Sequence, residues 1–115
     1  MKHVIHVDNS DFFRKLMKSF LSEKGLEYEG FDRGEDAVNA VADGRAQFVI
    51  TGLELSDMSG EEFLKRLMTL PKKTPIIVVT SSDEAAKLKR LEALGVKTII
   101  MKTDDWKAEL DKILR

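Results

Sequence analysis

The chain contains no cysteine, which removes disulfides, thiolate nucleophiles and cysteine-ligated metals from its chemistry. It lacks a surplus of either charge. Nineteen Lys and Arg against 20 Asp and Glu leave a net charge of −1, without the basic excess that a nucleic-acid footprint requires. No apolar run approaches the length of a membrane span, and the opening residues turn polar by Asp8, too soon for a secretory leader. A cytoplasmic location is the expectation. Repeats, Gly- or Ser-rich linkers and low-complexity tracts are missing, as are GxGxxG and P-loop patterns and a Ser-His-Asp arrangement. What remains is 115 residues, 43% apolar and 34% charged, enough for one globular core and too little for two. The expectation is a single domain over residues 1–115.

Short apolar runs alternate with amphipathic stretches five times. Val4 to Val7 reads as a buried strand, with Ser10 as N-cap of a helix whose apolar residues Phe12, Phe13, Leu16, Met17, Phe20 and Leu21 recur at helical spacing. Gly25 ends it. Leu26 to Phe31 is a weaker strand with charged neighbours, as near a sheet edge, followed by a short helix over Glu35 to Ala42. Ala46 to Thr51 is the third strand, and Glu61 to Leu70 the third helix, stopped by Pro71. Pro75 to Thr80 is nearly all β-branched and reads as a strand buried on both faces. Ser81 or Ser82 is the expected cap of a fourth helix ending before Gly95, Thr98 to Met101 is the fifth strand, and Asp104 is the expected cap of a last helix with Trp106, Leu110, Ile113 and Leu114 inward. Five β-then-α units imply a flavodoxin-like, doubly wound parallel sheet of order 2-1-3-4-5 with helices on both faces. In such sheets the functional crevice lies outside the carboxyl ends of the strands, which selects Asp8, Asn9, Gly52, Thr80, Ser81, Lys102 and Thr103.

Those strand-end residues carry a resemblance. Over essentially its full length the chain resembles the response regulator receiver domains of two-component phosphorelay signalling (CheY-like). In that family an acidic pair after the first strand binds a divalent metal, and an aspartate after the third strand accepts a phosphoryl group from a histidine kinase. A Thr or Ser after the fourth strand and a Lys after the fifth contact the phosphoryl oxygens. Asp8 matches the first acid, Asn9 stands at the second, Thr80 matches the hydroxyl and Lys102 the lysine. Asp57-Met58-Ser59-Gly60 resembles the family's loop, and counting back from Gly60 puts Gly52 at the acceptor position.

Phosphoryl transfer needs an in-line nucleophilic oxygen and a metal to offset charge. Gly52 offers no oxygen. The formal charges of Asp8, Asn9, Gly52 and Lys102 sum to zero, a poor setting for Mg²⁺. The expectation is therefore a pseudo-receiver: not an enzyme, without a bound cofactor, with Asp8, Asn9 and Glu54 as remnant metal positions and Lys102 paired directly with Asp8. The alternative is an active, Mg²⁺-dependent receiver using Asp57 or Glu54 as the acceptor. The resemblance also implies partners: another protein or a second copy, engaged through the fourth helix, fifth strand and fifth helix, or a histidine kinase or fused output domain. Ile99 stands where the family commonly has an aromatic switch, and Thr103 where it often has a cis proline, so a trans bond is expected after Lys102.

Two other features read as structural. His6, in the first strand, is expected to be a neutral, hydrogen-bonded core histidine rather than a metal ligand; His3 faces the other side of the strand and cannot join it in a chelate. Ser59-Gly60-Glu61-Glu62-Phe63 superficially matches the diguanylate cyclase GGEEF signature, but it opens an amphipathic helix in a chain too short for that domain.

Overall fold

The computed structural model describes residues 2–114. Five strands, β1 (His3–Val7), β2 (Glu27–Phe31), β3 (Phe48–Thr51), β4 (Ile76–Thr80) and β5 (Thr98–Met101), alternate with five helices. These are α1 (Asp11–Glu23), α2 (Gly34–Ala42), α3 (Gly60–Met68), α4 (Ala85–Ala93) and α5 (Trp106–Leu114). The strands form one parallel sheet in the order β2-β1-β3-β4-β5, the flavodoxin-like order read from the sequence.

Alternation along the central strands sorts the core into layers. Val4, Ile50, Ile77 and Val79 face one side, where Phe13, Met17 and Leu21 of α1 and Trp106, Leu110 and Leu114 of α5 cover them. Ile5, Val7 and Val49 face the other, under Ala37, Ala40 and Val41 of α2 and Phe63 and Leu67 of α3. Val78 joins Leu64 of α3 and Leu91 of α4 in a third, smaller cluster. Leu91 is the one fully buried residue of α4, so this helix is anchored by far less apolar surface than its neighbours.

Three expectations need correction. Phe12 shares the helical spacing of the α1 stripe but lies 72% exposed, while Phe13 beside it turns into the core with Met17 and Leu21. Neither Ser81 nor Ser82 caps α4; the cap position is Glu84, without a side-chain cap bond, and Ser82 instead donates its N–H to Thr80 Oγ1 at 3.0 Å. The last helix is capped by Asp105, whose Oδ1 accepts the Ala108 N–H at 3.2 Å, while Asp104 contributes its carbonyl to the Trp106 N–H. Ser10 does cap α1, accepting from Phe13 N–H at 3.1 Å, and Ser59 caps α3 through Glu62 N–H. Helix α2 has no capping side chain of its own, since Arg33 holds the cap position.

Candidate functional site

The parallel sheet brings the ends of β1, β3, β4 and β5 to one edge, where Asp8, Asn9, Gly52, Glu54, Thr80, Ser81, Lys87 and Lys102 line a cleft of about 90 Å³. Asp8 is its buried centre. Its Oδ1 accepts the Ser10 N–H at 2.9 Å, and its backbone carbonyl accepts from Arg14 Nη1 at 2.6 Å. Its Oδ2 lies 2.9 Å from Lys102 Nζ, as a charge pair rather than an aligned hydrogen bond. The same ammonium sits 4.1 Å from the centroid of the Phe13 ring, a cation–π contact that replaces water on its second side. Lys102 therefore turns inward, as expected, with the Phe13 ring against its ammonium. Thr80 Oγ1 is engaged with Ser82, and the Thr80 carbonyl accepts the Lys102 N–H at 2.8 Å.

Gly52 is buried and joined to β1 through its N–H, which donates to the Val7 carbonyl at 2.9 Å. A Cβ at this position would lie 2.8 Å from Asp8 Oδ2 and 3.2 Å from its Cγ, so the end of the Asp8 side chain would have to shift to admit it. The Asp8 carboxylate thus fills the space in which a residue-52 side chain would begin. Gly60 has a different reason to be glycine. Its N–H donates to the Leu53 carbonyl at 2.7 Å, and a Cβ there would sit 2.7 Å from the Gly52 carbonyl oxygen and from Leu53 Cα. That close backbone approach, with the antiparallel Glu54–Ser59 bridge, ties loop 52–60 in one register.

Asp57 does not line the cleft. Its Oδ1 accepts the Gly34 N–H at 2.6 Å and its Oδ2 the Glu35 N–H at 3.1 Å, so a loop carboxylate caps α2 from outside the helix. Burial pushes this carboxyl up, but the two amide donors, aided by Arg33, outweigh it and hold it below the ordinary carboxylate range. Glu54 lines the mouth of the cleft and is exposed, and Asn9 is likewise exposed at the rim.

His6 is fully buried, with Nδ1 2.8 Å from Tyr28 Oη. Desolvation lowers its pKa to about 4; Asp8 opposes the shift, and Lys102 and Arg14 reinforce it. His6 is neutral at pH 7. Burial also raises the Tyr28 hydroxyl. His3 turns instead to the sheet edge, 3.3 Å from Glu27 and 3.1 Å from Glu29. Among the described residues there is no cis peptide, so the bond after Lys102 is trans, and Ile99 is half-buried against the third cluster. Sequence reasoning missed Phe13 and Arg14 as parts of the site. Both lie in the first turns of α1, immediately after the Asp8 loop, and an aromatic and a cation that close to a buried carboxylate were the available signal. It also missed Lys87, which only the seating of α4 brings to the cleft.

A doubly wound sheet of this order, with an acid, a hydroxyl and a lysine at the carboxyl ends of β1, β4 and β5, defines a class of phosphorelay signalling domain. The chain belongs to the response regulator receiver domain family, whose sequence pattern matches residues 4–114. It is 26% identical over 102 residues to the chemotaxis protein CheY of Thermotoga maritima, covering 88% of this chain and 85% of that protein. Similarity to the Regulator of RpoS of Escherichia coli is 23% over 101 residues; that match spans only 30% of the relative's length. The structure of Vibrio cholerae CheY4 superposes with a TM-score of 0.85 at 26% identity, covering 100% of this chain and 98% of that one. A CheY-like receiver domain from Methanospirillum hungatei shares the fold at a TM-score of 0.89 and 22% identity, over 99% and 91% of the two chains. Receiver domains are signalling modules of two-component systems that work through partner proteins such as kinases and output domains.

Proposed function

We propose that this receiver domain takes no phosphoryl group and acts as a protein-binding module, residues 1–115 forming one pseudo-receiver unit. The observation that carries the reading is the Asp8–Lys102 pair closing over Gly52. The acceptor position has no carboxylate, and the space beside it is taken by the Asp8 side chain, held 2.9 Å from the ammonium that would otherwise meet phosphoryl oxygens. The residues present fit Mg²⁺ poorly. One Asp8 oxygen is committed to a backbone amide and the other faces a cation, while Asn9 is neutral. The alternative acceptors fit no better: Asp57 is engaged at the α2 N-terminus, and Glu54 sits on the exposed rim. The conserved fold and the altered site together leave surface recognition as the function. Its partner is another protein or a second copy meeting α4, β5 and α5, where α4 is the most weakly anchored helix; a cytoplasmic kinase or a fused output domain fits that role.

The test is intact-mass measurement after incubation with acetyl phosphate and Mg²⁺. The expected result is unmodified protein. A phosphoryl adduct abolished by Asp57→Asn or Glu54→Gln would overturn the reading in favour of an active receiver with an unusual acceptor.

A further inference from the structure

At the opposite end of the sheet from the Asp8 cleft, the N-terminal ends of β3, β4 and β5 leave a second and larger cavity of about 440 Å³. Four apolar side chains that the core does not fully cover converge on it: Phe48, Met68, Ile76 and Ile113, all half-buried. A smaller hollow of about 170 Å³ shares Met68, Lys73, Thr74 and Ile76 with it and extends under α3. The charge around this groove has one sign. Lys73 and Lys97 line the main cavity and Lys72 and Lys73 the smaller one, and no carboxylate among the described residues lines either. Lys72 and Lys73 lie against backbone carbonyls, Lys72 on Gly44 at 2.8 Å and Lys73 on Met68 and Leu70 at 2.6 and 3.2 Å. Lys97 is exposed and makes no ion pair with any described residue.

In a chain with a net charge of −1, an apolar groove whose charged lining, among the described residues, is all ammonium is complementary to one ligand chemistry. We infer that this groove binds a small amphiphilic carboxylate, an apolar body lying on Phe48, Met68, Ile76 and Ile113 with its carboxylate between Lys73 and Lys97. The cavity volume falls in the range of small-molecule sites, and apolar lining with a few placed charges is their usual composition. A cationic amphiphile would meet like charge on every side, and a bare oxyanion would leave the apolar surface uncovered. The site is independent of the Asp8 cleft and of whether the domain takes a phosphoryl group. It does adjoin the turn from α4 to β5, through Gly95, Val96 and Lys97, so an occupant would touch the connection to the most weakly anchored helix.

The test is titration of the ¹⁵N-labelled full chain with decanoate below its micellar range, with decyltrimethylammonium as the charge-reversed control. Expected are saturable amide shifts confined to the residues that line the groove, namely Phe48, Met68, the N–H-bearing residues of 73–77, residues 95–98 and Ile113, absent with the cationic control. Lys97→Glu, at an exposed position with no ion-pair partner among the described residues, should weaken decanoate binding about tenfold, as for loss of a charge-assisted bond, while leaving the spectrum of the unliganded protein in place. Lys73→Glu combined with it should abolish decanoate binding and admit the cationic probe. Non-saturating or scattered shifts, equal binding of both probes, or undiminished affinity in Lys97→Glu would each overturn the assignment.

Discussion

Lys102 has exchanged most of its water for a carboxylate and a ring. The Asp8 side chain it faces is 3% exposed, so that carboxylate depends on the ammonium for charge compensation. Removing the cation alone leaves a buried, uncompensated charge. Lys102→Met is expected to destabilise the fold by about 2–4 kcal/mol, measured by urea unfolding. Adding Asp8→Asn in the same chain should recover a large part of that loss, because the uncompensated charge is then gone. Equal losses in the single and double variants would show that the pair carries no coupling. Asp8, Gly52, Thr80 and Lys102 were all legible in the sequence, because a parallel sheet must deliver its strand ends to one edge. The Phe13 ring beneath Lys102 was not. Helical spacing places Phe12 and Phe13 equally in a stripe, and only the seating of α1 on the sheet decides that one is 72% exposed and the other supports the ammonium.

Helix α2 depends on a residue outside itself. Its first turn has no capping side chain, and the Asp57 carboxylate accepts its first two amides across 23 positions of sequence. Asp57→Ala should cost about 1–2 kcal/mol, the range for losing an N-cap with its favourable helix-dipole charge, and amide exchange should rise first in α2. Unchanged exchange there would refute the capping role. Helix α4 shows the converse case. Little apolar surface holds it, and Arg90 binds Glu61 of α3 through Nε and Nη2 at 3.0 to 3.2 Å. Arg90→Ala is expected to speed amide exchange selectively in α4, without shifting the core strands. A uniform increase across the sheet would mean that the fork contributes to global rather than local stability. The sequence located both helices within a few residues, yet missed both fastenings, since neither partner lies within a helical turn of the other.

For the molecule as a whole, His6 sets a pH dependence. It titrates near its ordinary 6.5 when unfolded and near about 4 when folded, because burial disfavours the imidazolium. Below pH 6.5 the unfolded chain takes up a proton that the folded chain refuses, so stability falls as pH drops from about 6.5 towards about 4 and is insensitive to this group above that window. The full contribution is about 3 kcal/mol. Comparing urea midpoints of the wild type and His6→Phe between pH 7 and pH 5 isolates it from the carboxylates. The wild type should lose stability across that interval and the variant should not; parallel profiles would dismiss the mechanism.

The sequence by itself determined the parallel sheet, its order and the edge at which a site must form, because these follow from periodicity, strand count and side-chain chemistry along the chain. Tertiary structure alone decided that the Asp8 carboxylate lies against Gly52, that Asp57 serves α2 rather than the cleft, and that an apolar groove lined by lysines opens at the far end of the sheet. The reason is range: each of these depends on distances between residues far apart in the chain, which packing fixes and local pattern does not encode.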